Sequence, residues 1–319
     1  MIVISIECSH KRGMGHFYRA LNIRQYLGAA GEGAVIVLND DKRAVQILES
    51  ISVIYEIVDY SDITTNWEKT IIRKHGADVW LSDKFSTGAE LAQHVKNEGV
   101  LLAAIDDCGE GADYVDLHFC AMLFHNLRGR HIYSGKEYMI LNPEIARYRR
   151  RRTALNKILV TLGGSDTYGV TVKVVKILKE KGLKADIVTG PDFQHSDELK
   201  REAGTEFKVY TAVPSLIEKF FEYDLAITGG GVTCFEANAS GLPCIIIANE
   251  IHEIENARYI AGYGGAKFAG YYKDICQDSI DIRNINIKRM SMAALAAFSL
   301  NGMKNIYHVI EGYRKHYAG

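Results

Sequence analysis

Three stretches of this chain pair residue types and spacings that suit chemistry. The first is Gly229-Gly230-Gly231-Val232-Thr233-Cys234-Phe235-Glu236, which follows the apolar run 225–227. A short apolar run, a set of glycines and a helix-like pattern read as a strand, a tight turn and a helix start. Glycine lets the backbone take positive φ and approach a ligand closely. The free N–H groups of the new helix then face outward, backed by a dipole of about half a positive charge. That combination binds anions, phosphate above all. The same letters also fit a ligand-free turn closed by a capping box, with Thr233 as N-cap and Glu236 three residues on. The second stretch, Gly163-Gly164-Ser165-Asp166, repeats the strand-to-turn pattern. Two phosphate-type turns in one domain support such a site more than one does.

The third stretch, Gly13-Met14-Gly15-His16, places a histidine just after a glycine loop at a strand-to-helix turn. A helix N-terminus disfavours the imidazolium, so the ring is expected to be neutral and able to accept a proton, which suits a general base. The bland alternative is a histidine satisfied by a nearby carbonyl. Glu7, Asp83, Asp106 and Asp107 all fall at predicted strand ends, where they would orient His16 or bind substrate hydroxyls. Asp106 and Asp107 also suit turns and helix caps. His10 with His16 is too weak a pair for a metal site, and no His, Cys or Asp cluster has zinc spacing. Gly13-Met14-Gly15 lacks a third glycine at dinucleotide spacing, because Arg19 continues the helix, so NAD is disfavoured.

These residues need elements that hold them at one edge. Apolar runs at 2–6, 34–38, 53–58, 78–81 and 100–105 read as strands alternating with helical patterns. Residues 114–120 and 138–141 would be short strands closing a first domain. Asn142-Pro143 and the arginine run up to Arg152 read as a solvated linker or local anion contact. The alternation then restarts, with strands expected at 157–162, 185–189, 207–210, 224–228, 244–248 and 266–269, and two helices in the tail 287–316. Alternation of this kind implies parallel sheets with helices on both faces. The expected organisation is two doubly wound, Rossmann-like domains, 1–148 and 149–319, facing across a cleft of the kind that commonly holds small molecules.

Composition bounds the partners. The chain has 319 residues, 47% hydrophobic and 24% charged, with a formal net charge of −1. A global pull toward nucleic acid or membrane is therefore not expected. The six cysteines form no CxxC pair, which suits a reducing cytoplasm. The N-terminus lacks the features of a signal peptide, and no apolar run approaches the roughly 20 residues of a membrane helix. A cytoplasmic protein with a small-molecule ligand and no cofactor is the expectation; the oligomeric state is left open.

Taken in order, Gly13-Met14-Gly15-His16 with Arg19, Asp106-Asp107, Gly163-Gly164-Ser165-Asp166, and Gly229 through Glu236 to Gly241-Leu242-Pro243 resemble the UDP-sugar hydrolases of the pseudaminic acid pathway. That family belongs to the GT-B glycosyltransferase superfamily, near the N-acetylglucosaminyltransferase of the peptidoglycan lipid precursor. The resemblance implies a GT-B fold with a UDP-sugar in the cleft. It places the diphosphate on Gly230, Gly231, Val232 and Thr233, the ribose hydroxyls on Glu236, and the uracil near Ala212-Val213. Ser165 would lie by the phosphates, with Gly15 and Gly164 in the turns around the ligand. His16 would activate water for inverting attack at the anomeric carbon, with Asp83 and Asp107 completing the catalytic set. No metal is implied, since N–H groups and helix dipoles would stabilise the departing diphosphate.

Three positions depart from the hydrolase pattern. Glu7 replaces an Asp, Phe85 replaces a Tyr, and His252-Glu253 replaces an Asn-Gln pair at the ligand-binding edge. Phe85 has no hydroxyl to donate, whereas His252 and Glu253 titrate. A pocket changed in this way would accept an organic acceptor in place of water, which keeps a GT-B transferase as the alternative. A silent nucleotide-sugar binder is the third reading, and His16 argues against it.

Overall fold

The computed structural model describes every residue except 9–13, 122–126, 165, 191, 212, 214 and 318–319. It divides into two compact units, Met1–Leu141 with Asn301–Gly319, and Asn142–Leu300.

The first unit runs β1 (Ile2–Ile6), α1 (Gly15–Ala29), β2 (Ala34–Leu38), α2 (Lys42–Ser50), β3 (Tyr55–Ile57), α3 (Trp67–His75), β4 (Val79–Asp83), α4 (Ala89–Asn97), β5 (Leu101–Ile105), β6 (Leu117–Cys120) and β7 (His131–Ser134). Its strands form one sheet in the order β3-β2-β1-β4-β5-β6-β7. Every pairing is parallel. Along β1, β4 and β5 every residue is buried, as a sheet covered on both faces requires. Ile2, Ile4, Ile6, Leu81 and Ile105 pack on one face with Phe17 and Leu27 of α1. Val3, Trp80 and Leu102 pack on the other with Ala92 and Val95 of α4.

The second unit runs α5 (Ile145–Tyr148), β8 (Ile158–Thr161), α6 (Val170–Glu180), β9 (Asp186–Thr189), α7 (Ser196–Ala203), β10 (Lys208–Thr211), α8 (Leu216–Phe220), β11 (Leu225–Gly229), α9 (Val232–Ala239), β12 (Cys244–Ala248), α10 (Glu253–Gly262), β13 (Ala266–Tyr271) and α11 (Ile287–Ala297). Its sheet order is β10-β9-β8-β11-β12-β13, again parallel throughout. Both sheets change winding direction at one place, between β1 and β4 in the first and between β8 and β11 in the second. Open α/β sheets bind ligands at the strand ends beside such a reversal.

Three expectations are corrected. The last helix, α12 (Gly302–Tyr317), belongs to the first unit rather than to a domain 149–319. Met303, Ile306 and Ile310 bury their side chains in the first core, and Arg314 ties the helix to Glu32 and Asp78. Residues 138–141 are not a strand: Met139, Ile140 and Leu141 are buried but irregular, and β7 is the edge strand instead. The arginine run is solvated only in part: Arg147 and Arg151 are exposed, but Arg152 is not. The Arg152 side chain is fully buried, donating to the carbonyls of Tyr223 (3.1 Å), Arg150 (2.9 Å) and Phe220 (2.6 Å), and to that of Ser240.

Candidate functional site

At the reversal of the first sheet, α1 starts at Gly15 with no side-chain cap on its amides. His16 is its second residue and remains about 30% exposed. Its Nδ1 lies 2.9 Å from Oδ1 of Asp83, the last residue of β4, whose side chain is wholly buried. Arg19, one turn along α1, grips the same carboxylate with both arms of its fork, Nε reaching Oδ2 at 2.9 Å and Nη2 reaching Oδ1. Its third nitrogen, Nη1, donates to Oδ2 of Asp106 at 2.7 Å. Burial alone would raise the pKa of Asp83. Arg19 and the hydrogen bonds from His16 and Arg19 outweigh it and hold the value at about 2. Burial likewise works against the Arg19 guanidinium, yet the two carboxylates keep its pKa above the ordinary arginine value. An ionised Asp83 can only accept, so Nδ1 is the nitrogen that carries the hydrogen of this contact, and in a neutral ring Nε2 is the one with the lone pair. The sequence expectation named Asp83 among four carboxylates that would orient His16 or bind substrate hydroxyls; it gave Arg19 no part in holding that carboxylate.

Asp106 follows β5 with φ of +53°, in the left-handed region, and its Oδ1 accepts from the Ala121 N–H at 3.2 Å. Asp107 does not join the His16 cluster through its hydrogen bonds. Its Oδ1 accepts from the N–H groups of Thr87 (3.0 Å) and Gly109 (2.8 Å), fastening the loop after β4 to the loop after β5. Its Oδ2 is buried without a partner. Gly15 is exposed at the mouth of this edge, Glu7 is exposed beyond β1, and the Phe85 ring is 54% exposed. Sequence reasoning passed over Lys84. Its buried Nζ sits 3.8 Å over the Tyr60 ring, and burial lowers its pKa to about 8 against the pull of Asp107, Glu7 and Glu68.

In the second unit the two glycine turns both lie at the reversal, and they differ. After β8, Gly163 takes φ of +99° and Gly164 follows; Ser165 lies outside the described residues. Asp166 then caps α6 with its own carboxylate, accepting from Val170 N–H at 2.8 Å and Thr171 N–H at 2.8 Å. The amides at the start of α6 are thus already occupied. After β11, α9 starts at Val232 with Gly231 as N-cap and no side-chain cap. The capping box of Thr233 and Glu236 does not form, because the helix begins before Thr233. Val232 and Thr233 therefore open a helix whose end no side chain of its own closes.

Glu253, at the start of α10, reaches this turn. Its Oε2 accepts from the N–H groups of Asn249 (2.7 Å), Gly230 (3.3 Å) and Glu250 (3.4 Å). A Cβ on Gly230 would lie 2.7 Å from the Cβ of Glu253, so glycine is required for this approach. Asn249 links the end of β12 to β8, its Nδ2 donating to the Leu162 carbonyl at 3.0 Å. Glu236 is partly buried on α9, and burial pushes its carboxyl up to about 7. His252 is exposed before α10, and Val213 is partly buried after β10, the outer strand two places from β8. Among the described residues no group of three or more His, Cys, Asp or Glu could hold a metal ion, and no helix is long and apolar enough to cross a membrane.

An uncapped helix start behind a glycine turn, at the reversal of a parallel sheet, prepares a comparison with known proteins. Residues 158–282 match the Glycosyltransferase family 28 C-terminal domain. The match lies wholly within the second unit. The chain is 27% identical over 271 residues to the uncharacterized protein MJ1062 of Methanocaldococcus jannaschii, a match covering 77% of this chain and 55% of that protein. It is 26% identical over 215 residues to the spore coat polysaccharide biosynthesis protein SpsG of Bacillus subtilis, covering 61% and 62% respectively. The matched stretch thus spans less than two thirds of either relative. Among solved structures, MurG of Acinetobacter baumannii superposes with a TM-score of 0.71 at 13% identity, covering 98% of this chain and 99% of MurG. UDP-GlcNAc 2-epimerase of Neisseria meningitidis, solved with UDP-GlcNAc bound, gives 0.62 at 10% identity, covering 98% and 100%. The fold is GT-B, built from two Rossmann-like units, as the resemblance implied.

Proposed function

We propose that this protein cleaves a nucleotide sugar, most simply a UDP-linked amino or deoxy sugar, by inverting attack of water at the anomeric carbon, in the making of a surface glycan. The observation that carries the reading is the pairing of His16 with a buried, ionised carboxylate. Nδ1–H donates to Asp83, so Nε2 is free to take a proton from the attacking water. As the C–O bond to the diphosphate breaks, that proton passes to Nε2, and Asp83 stabilises the imidazolium that results. The departing diphosphate is held by the Gly231 to Thr233 end of α9, whose amides point at it and supply the positive pole of a helix. Glu236 accepts from the ribose hydroxyls, and Val213 borders the base. The family match of the second unit and the kinship with a spore coat polysaccharide biosynthesis protein support a sugar-processing role.

One observation favours a second reading, transfer of the sugar to an organic acceptor. Tyr18, two residues past His16, and Phe85, two residues past Asp83, expose about half of their surface. Half-exposed aromatic rings close in sequence to His16 and Asp83 suit an acceptor with an apolar part.

Incubation with UDP-, GDP- and CMP-sugars, with and without acceptors, separates the two. Nucleotide release without acceptor selects hydrolysis, and release only with one selects transfer. In either case His16→Ala is expected to abolish turnover while UDP affinity, measured by calorimetry, stays within twofold. Turnover equal to the parent's would remove His16 from the base role.

A further inference from the structure

Arg19 stands one helical turn after His16 on α1, with its side chain about 11% exposed. Nε and Nη2 close on the two oxygens of Asp83, and Nη1 on Asp106. Asp106 is in turn fixed by the Ala121 N–H and by a left-handed backbone that holds it at the end of β5. One guanidinium therefore joins α1, the end of β4 and the end of β5. Two carboxylates face it, so the cluster of Asp83, Asp106 and Arg19 carries one net negative charge. His16 is the member that meets solvent.

We propose that Arg19 is a positioning residue that sets which nitrogen of His16 carries the hydrogen, by keeping the Asp83 carboxylate ionised and aimed at Nδ1. This goes beyond the base role proposed above, and it rests on that role only for its consequence in turnover. The direction follows from hydrogen-bond chemistry. An ionised Asp83 has no hydrogen to give, so it must accept from Nδ1–H, and the single hydrogen of the neutral ring is then not on Nε2. Nη2 of Arg19 also comes within 3.4 Å of Nδ1, but each of the two nitrogens lies closer to Oδ1 of Asp83, which is the acceptor they share. Without Arg19, a wholly buried carboxylate has lost its charge partner. It then either takes a proton from water and donates it to Nδ1, or pulls a second proton onto the imidazole. Both outcomes put a hydrogen on Nε2, and a protonated Nε2 cannot act as a base. Lysine cannot replace arginine here, because a single ammonium cannot span both oxygens of Asp83 and also reach Asp106.

The test needs no substrate. Long-range proton–nitrogen NMR spectra of the ¹⁵N-labelled protein report the protonation of each ring nitrogen, and His16→Gln identifies the His16 signals among the 11 histidines. The parent at pH 7.5 or above is expected to show Nδ1 protonated and Nε2 bare. In Arg19→Met the Nε2 signal should move to its protonated position, with folding checked by circular dichroism. An unmoved Nε2 signal in folded Arg19→Met overturns the proposal. If that variant does not fold, Arg19→Lys is read in the same way, with protonated Nε2 expected in a substantial fraction of molecules and an unchanged spectrum overturning it. The outcomes also separate this inference from the base role. Turnover by His16→Ala with a moved signal in the Arg19 variant sinks the base and keeps Arg19. Inactive His16→Ala with an unmoved signal sinks Arg19 alone.

Discussion

Asp83→Asn tests the charged cluster directly, because its effect should depend on pH in a defined direction. The Asp83 side chain is wholly buried and takes hydrogen bonds from Arg19 Nε and Nη2 and from His16. Its pKa falls from 3.8 to about 2. A shift of that size is linked to about 2 kcal/mol of stability. Removing one partner of a buried pair costs about 3–5 kcal/mol when the other charge is stranded. Arg19 is not stranded, because Asp106 still holds it, so a loss of about 2–4 kcal/mol at pH 7 is expected. The folded pKa is depressed, so this contribution is complete above the unfolded value near 4 and disappears as pH falls toward 2. The gap between parent and variant should therefore close over that same interval. Both tryptophans, Trp67 and Trp80, lie in the first unit, so their fluorescence in urea follows the unit that contains the cluster. A gap below about 1 kcal/mol at pH 7, or one that persists unchanged to pH 2.5, would refute the assignment of a charged, stabilising Asp83.

Glu236→Ala is expected to weaken UDP binding by about 1–3 kcal/mol if the carboxylate accepts from the ribose. Burial raises that carboxyl to about 7, and only its ionised form accepts from two hydroxyls. The affinity difference between parent and Glu236→Gln should thus widen from pH 6 to pH 8 by calorimetry; a pH-independent difference would argue against ribose contact. Arg152→Met removes a buried guanidinium that donates to the carbonyls of Tyr223, Ser240 and Phe220, and should destabilise the second unit by about 2 kcal/mol, read by differential scanning calorimetry. A melt that matches the parent's would show that the donors these carbonyls keep, Arg150 for Tyr223 and Ser240 and the Tyr223 N–H for Phe220, satisfy them without Arg152. Deleting residues 301–319 should unfold the first unit and leave the second intact, since Met303, Ile306 and Ile310 fill the first core. Tryptophan fluorescence of a native kind in the truncated chain would contradict that.

The strands were legible because both sheets are covered on both faces, which writes them as unbroken apolar runs. The same rule failed where burial and pairing part company. Met139, Ile140 and Leu141 are as apolar as any strand, but their backbone lies against the start of α12, where a Cβ on Gly302 would come 1.8 Å from the Met139 carbonyl. His131 to Ser134 alternates in exposure as an edge strand does, and so carried too little apolar signal to be read. The tail was misassigned for a related reason. An amphipathic helix announces that it will be buried and not against which sheet, and α12 crosses back to the first.

The site divides in the same way. Glycine turns and a histidine at a helix start are local patterns, and the chain carries them openly. Whether an anion site is vacant is decided by residues far away in sequence. Gly163-Gly164 and Gly229-Gly230-Gly231 look equivalent, yet Asp166 fills the first helix start with its own carboxylate, and among the described residues no side chain caps α9. Glu253 then reaches across 23 positions to take the Gly230 amide. In the proposed reading, the amides left for a diphosphate at this edge begin at Gly231, with the Glu253 carboxylate beside them. In that reading the departures from the hydrolase pattern matter most at Glu253, because a carboxylate offers two acceptor oxygens and no donor, whereas the glutamine of that pattern offers one acceptor oxygen and an NH₂ donor.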